Sequence, residues 1–130
     1  MAELKDLFQT ADWKQEKHIP VIEFIGKPEK GENFEIKVTV GKEIPHPNTT
    51  EHHIRWINIY FLPEGEKFPY ELGKFEFTAH GESTQGPNTG SVYTHPKVIL
   101  SFKADKQGII FANSYCNIHG LWINSLELKF

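Results

Sequence analysis

From Phe34 to Val40 the chain reads Phe-Glu-Ile-Lys-Val-Thr-Val, with apolar and polar residues alternating without a break. That period of two marks a half-buried strand, so Phe34, Ile36, Val38 and Val40 form one face that another layer must cover. Six further runs are rich in β-branched and aromatic residues: Val21 to Ile25, His53 to Leu62, Lys74 to Ala79, Lys97 to Lys103, Gly108 to Ser114 and Leu121 to Leu128. Turn clusters separate them, among them Gly26-Lys27-Pro28, Pro63-Glu64-Gly65 and the long stretch from Gly81 to Gly90. Many short strands broken by turns predict an all-β, seven-stranded antiparallel immunoglobulin-like sandwich or barrel. The only helical candidate is a short N-terminal extension, Ala2 to Lys14, where Leu4, Leu7 and Phe8 could form one apolar edge.

With 130 residues and no linker or repeat, residues 1–130 are expected to form one domain with one core. The net charge of −3 leaves no basic surface for nucleic acid and no polybasic run for anionic lipid. The N-terminus lacks the apolar region of a signal peptide and no apolar stretch approaches the ~20 residues that span a bilayer, so a cytoplasmic protein is expected. Cys116 is the only cysteine, which excludes an intrachain disulfide and a four-thiolate metal site.

Several motifs fail on inspection. Gly26 and Gly31 have P-loop spacing, but Glu32 and Asn33 stand where Lys and Ser or Thr are required. Asn48-Thr49-Thr50 fits the N-glycosylation pattern, which is idle without secretion. Neither a Gly-x-Ser-x-Gly elbow nor a His-Glu-x-x-His helix is present.

Three segments outside the apolar runs carry donors: Glu16-Lys17-His18, then His46 to His52, then Cys116-Asn117-Ile118-His119. Each alone is weak, since most loop histidines are merely solvated. Together they offer four imidazoles and one thiolate at strand ends and loops, where a rigid sandwich can hold ligands within reach of solvent. Pro45 and Pro47 stiffen the backbone on either side of His46, lowering the entropy lost on ordering a ligand.

The phrases Glu16-Lys17-His18-Ile19-Pro20, Gly41 to Ile54 and Tyr115 to Trp122 resemble the signature segments of superoxide reductases, a family also called neelaredoxins and desulfoferrodoxins. The chain is similar to the one-iron class, since it lacks the extra four-cysteine domain of the two-iron class. The resemblance implies one iron with His18, His46, His52 and His119 equatorial and the Cys116 thiolate axial, leaving the opposite position open to superoxide. It further implies Glu16 as a sixth ligand in the ferric state only, and Lys17 beside the open position. It also implies one-electron reduction of superoxide to hydrogen peroxide in oxidative-stress defence, rubredoxin as electron donor, and a homotetramer.

Imidazole suits iron and thiolate is a strong electron donor, while an ammonium at Lys17 would draw in a small anion. His53, His80 and His95 stay outside this set; neighbouring strand residues face opposite ways, so only one of His52 and His53 can meet the metal. The main rival is a cupredoxin-like electron carrier, also a sandwich with a Cys-x-x-His pair. That reading wants an axial methionine, and Met1 is the only one in the chain. A zinc-stabilised module would leave one of five donors unused.

Overall fold

The computed structural model describes all residues from Met1 to Phe130. Seven strands form: β1 (Pro20–Ile25), β2 (Phe34–Val40), β3 (Ile54–Pro63), β4 (Tyr70–Glu76), β5 (Lys97–Phe102), β6 (Gly108–Cys116) and β7 (Gly120–Leu128). They divide into a three-stranded sheet in the order β1-β2-β5 and a four-stranded sheet in the order β4-β3-β6-β7, antiparallel throughout. This three-plus-four arrangement is an immunoglobulin-like sandwich, as the strand count predicts.

The alternation along β2 sets the core. Phe34, Ile36, Val38 and Val40 are all buried and meet Ile57, Ile59, Ile110, Ala112 and Leu128 from the opposite sheet. The two layers close at one seam, where β1 runs beside β7 and the Asn124 amide donates to the Pro20 carbonyl at 3.2 Å.

Two expectations need correction. The N-terminal extension is not a helix over Ala2 to Lys14 but one 3₁₀ turn, Leu4–Asp6, with Leu4 and Leu7 exposed. Of the three apolar residues only Phe8 is half-buried, and so short a helix does not hold alone. Instead Gln9 bridges to Trp122: its N–H donates to the Leu121 carbonyl and its carbonyl accepts from Ile123. The fourth strand lies earlier than Lys74 to Ala79. Tyr70–Glu76 is a largely exposed edge strand whose mixed composition hides its period, while Ala79 leaves the sheet to accept from Thr94 at 2.7 Å.

The sandwich brings three chain segments to one end. Residues before β1, the β2–β3 connection and the β6–β7 turn all lie there. A register shift in the β3–β6 ladder between Ile54 and Trp56 sets Ile54 opposite Cys116, so the last residue of β6 meets the first of β3. Bulges of this kind re-aim side chains where a sheet edge carries a site.

Candidate metal centre

His18 stands two residues before β1 and is buried. Its Nδ1–H donates to Glu16 Oε1 at 2.6 Å and its backbone N–H donates to the same oxygen at 3.1 Å, which leaves the Nε2 lone pair pointing inward. His46 is fixed similarly, its Nδ1–H donating to the Pro47 carbonyl at 2.6 Å. The Nε2 atoms of His46 and His52 are buried without any hydrogen-bond partner. Buried polar atoms left unmatched are rare and call for an unseen ligand. Cys116 is fully buried at the end of β6, and the tight turn after it brings the His119 N–H to its sulfur at 3.3 Å.

The four imidazoles form a closed ring. Successive centroids are 4.8 Å apart from His18 to His46, 4.8 Å from His46 to His52, 5.0 Å from His52 to His119 and 4.7 Å from His119 to His18. His119 Nδ1 lies 3.2 Å from His18 Nε2 and 3.8 Å from Cys116 Sγ. Donor atoms of His18, His52, Cys116 and His119 all fall within 4.8 Å of one another, and His46 joins them through its ring. Three imidazoles and one thiolate with mutually close donor atoms, and a fourth imidazole ring beside them, form a cradle of nitrogen and sulfur donors, and its two orphaned Nε2 atoms fit a transition-metal ion.

Electrostatics keep this ring in its ligating form. Burial pushes His46 down to about 4, with the charges of His18, His52 and Lys17 adding to the effect. His52 is lowered by burial and then by His119, His18 and Lys17. His18 is lowered by burial against the opposing pull of Glu16. Neutral imidazole is the form that binds metal, so at neutral pH no proton need leave these three before an ion enters. For Glu16, burial works upward, but the hydrogen bonds from the His18 ring and backbone and the nearby cations outweigh it and hold the carboxyl below its usual range.

The structure therefore brings the rings of His18, His46, His52 and His119 to one place with the Cys116 sulfur, and Glu16 is hydrogen-bonded to His18. His53 and His80 are outside the ring: they stack on one another with centroids 3.5 Å apart and planes 5° from parallel. His53 Nδ1 is 2.9 Å from the Thr49 carbonyl and His80 Nε2 2.7 Å from that of Phe77. Three further side chains support the ring, of which Trp122 flanks the Cys116 motif in sequence. Trp122 lies parallel to the His18 ring at 4.7 Å and donates its Nε1–H to the His119 carbonyl at 3.3 Å. Asn88, at φ 58°, accepts the Thr50 N–H through its side chain at 2.8 Å and donates to the Glu51 carboxylate at 2.9 Å. Asn117 spans from the Cys116–His119 turn to the peptides on either side of His52.

The desulfoferrodoxin family model matches residues 10–125, which include every one of these donors. The chain belongs to the desulfoferrodoxin family. Within it, the superoxide reductase of Pyrococcus furiosus is 57% identical over 126 residues, covering 97% of this chain and 99% of its own. Neelaredoxin from Megalodesulfovibrio gigas is 58% identical over 120 residues, 92% of each chain. Among solved structures, the superoxide reductase (neelaredoxin) of Archaeoglobus fulgidus in the reduced form matches with a TM-score of 0.90 at 60% identity, covering 95% of this chain and 99% of that one. A desulfoferrodoxin of this length and fold, with one cysteine in the whole chain, has only one place for a thiolate-bound metal.

Proposed function

We propose that residues 1–130 act as one iron-binding domain that reduces superoxide to hydrogen peroxide in oxidative-stress defence. The observation that carries this is the closed ring of four imidazoles beside a buried thiolate, with two Nε2 atoms lacking any other partner. His18, His46 and His52 would bind through Nε2, His119 through Nδ1 and Cys116 through sulfur. Iron held by these residues would supply the one electron, and the overall change, superoxide plus one electron plus two protons to hydrogen peroxide, would balance. The electron must then be restored by an external donor, since Cys116 is the only cysteine in these residues. Rubredoxin is the proposed donor, a homotetramer the proposed assembly and the cytoplasm the proposed location.

The chain's own groups have separable tasks. Glu16 holds the His18 Nδ1–H and so fixes which nitrogen faces the centre, the arrangement by which second partners orient metal-bound imidazoles. It is also the proposed sixth ligand of the ferric state. Lys17, half-buried, places its charge where it acts on His18, His46, His52 and Glu16. An ammonium there attracts a small anion and balances its charge, and it can order the water that brings a proton. Replacing Lys17 by alanine is expected to slow superoxide capture roughly tenfold at low ionic strength with iron retained, the difference shrinking as salt screens the field. Stopped-flow rates at two salt concentrations measure this; equal rates at low salt overturn the assignment.

The function itself is tested by elemental analysis and visible spectra of the purified protein. About one iron per chain is expected, as is a thiolate-to-Fe(III) band that grows when the reduced protein meets superoxide. One copper with an intense blue band would instead make this an electron carrier, and stoichiometric colourless zinc would make it a structural site.

A further inference from the structure

We infer that Asn117 is a positioning residue of the metal centre, setting where His52 stands relative to Cys116 and His119; this rests on the proposed metal site. Three hydrogen bonds support it. The Asn117 side-chain N–H donates to the Glu51 carbonyl at 2.8 Å, its side-chain oxygen accepts the His53 N–H at 2.9 Å, and its backbone N–H donates to the His53 carbonyl at 3.2 Å.

The first two bonds straddle His52. A residue on a parallel strand pairs with the carbonyl before and the N–H after the residue opposite it, and the Asn117 amide reproduces that pattern with His52 as the residue opposite. His52 lies outside any strand, so no ladder holds it. Its own peptide groups are satisfied inside the loop: its N–H donates to Thr49 Oγ1 at 3.0 Å and its carbonyl accepts the Thr49 N–H at 2.9 Å. Those contacts fold the loop but do not tie it to the rest of the centre. Asn117 makes that tie, because it follows Cys116 directly and lies two residues before His119. One side chain thus couples the peptide of a nitrogen donor to the turn that carries the sulfur donor and another nitrogen donor.

The residue type is specific to the task. Donor and acceptor must both be present, at the ends of a planar group, one carbon from the backbone. Serine offers one short group and aspartate has no donor for the Glu51 carbonyl. The Asn117 amide touches no ring nitrogen and no sulfur in this arrangement, so it acts on the centre only through His52.

The test compares wild-type protein, Asn117→Ala and Ile59→Val, each loaded anaerobically with ferrous iron and exposed to excess ferrous chelator. Ile59 is a fully buried core residue away from the loop, and the loss of one methylene there lowers stability modestly without touching these bonds. Asn117→Ala is expected to release iron roughly tenfold to a hundredfold faster than wild type and to shift the thiolate-to-Fe(III) band of the oxidised form. Ile59→Val should match wild type in both respects. Equal release rates and bands for Asn117→Ala and wild type overturn the inference, and so does equally rapid release from Ile59→Val, which would assign the effect to general stability. Should Asn117→Ala not fold, Asn117→Asp, which keeps the His53 contact, is expected to fold and to show faster release; release at the wild-type rate overturns the inference. A wild-type protein that binds no iron defeats the metal site first, and the inference with it.

Discussion

Cys116→Ser is expected to remove the visible thiolate band completely and to lower superoxide reduction by a hundredfold or more, about 2.7 kcal/mol or more in barrier. A hydroxyl is smaller than a thiol but stands in the same place, and the His119 N–H that now donates to Sγ can donate to it instead. The fold should therefore survive, with a melting temperature within a few degrees of the parent protein when both lack metal. Serine oxygen is a much poorer electron donor than thiolate, so the centre would keep four nitrogens and lose the one ligand that favours electron release. The measurement is single-turnover oxidation of the reduced protein by superoxide, with metal content determined on the same sample. Retained iron with full rate would show that the thiolate is not the source of reactivity. A cavity that still binds iron but reacts slowly is the expected outcome.

Trp122→Ala should have the largest effect on stability of any change near the centre. The ring is 7% exposed, lies flat against His18 and anchors the His119 carbonyl, so it supports donors from both ends of the chain. Truncating a buried aromatic of this size costs about 3–5 kcal/mol, and a loss of that order lowers the melting temperature of a domain this long by roughly 10 °C or more. Trp122→Phe keeps an aromatic face for His18 and removes only the Nε1–H, a loss of about 1 kcal/mol. Thermal melts of the metal-free proteins separate the two. If the ring also holds His18 in place, the alanine variant will bind iron more weakly by more than its stability deficit explains, whereas the phenylalanine variant will not. Equal iron affinity in both variants and the parent would reduce Trp122 to packing alone.

Most of the sandwich was legible from period and composition. Phe34, Ile36, Val38 and Val40 alternate because one face of β2 meets the opposite sheet and the other meets solvent, and burial follows that alternation. The periodic signal failed where that contrast is absent. On β4, an edge strand with Glu71, Gly73 and Lys74 among its residues, neither face is deeply buried and the period has nothing to report. It failed again at the N-terminus, where Leu4 and Leu7 suggested a helix edge that has no partner. The role of Gln9 was invisible for the opposite reason: its bonds to Leu121, Ile123 and the His119 carbonyl depend on a segment more than a hundred residues away.

The donors themselves could be nominated from residue type, because four histidines and one cysteine in three loop segments offer imidazole and thiolate, which suit transition metals; iron in particular was what the family resemblance implied. Residue type also placed Glu16 and Lys17 next to a donor simply because they precede it in the chain. Whether those five donors converge is a different kind of fact. Their spacing in sequence, from residue 18 to residue 119, says nothing about distance. Convergence follows from β6 pairing with β3 so that Cys116 meets Ile54, and from β1 and β7 closing one seam of the sandwich. The same pairing separates two adjacent histidines, sending His52 into the ring and His53 into its stack on His80. Asn117 and Trp122 gain their roles only there, since a hydrogen bond or a ring stack between distant segments has no period and no composition. Sequence determined which faces must be buried and which chemistry the chain could hold, both of them local properties of side chains; tertiary structure decided which side chains stand within 5 Å of one another, because that depends on strand register across the whole domain.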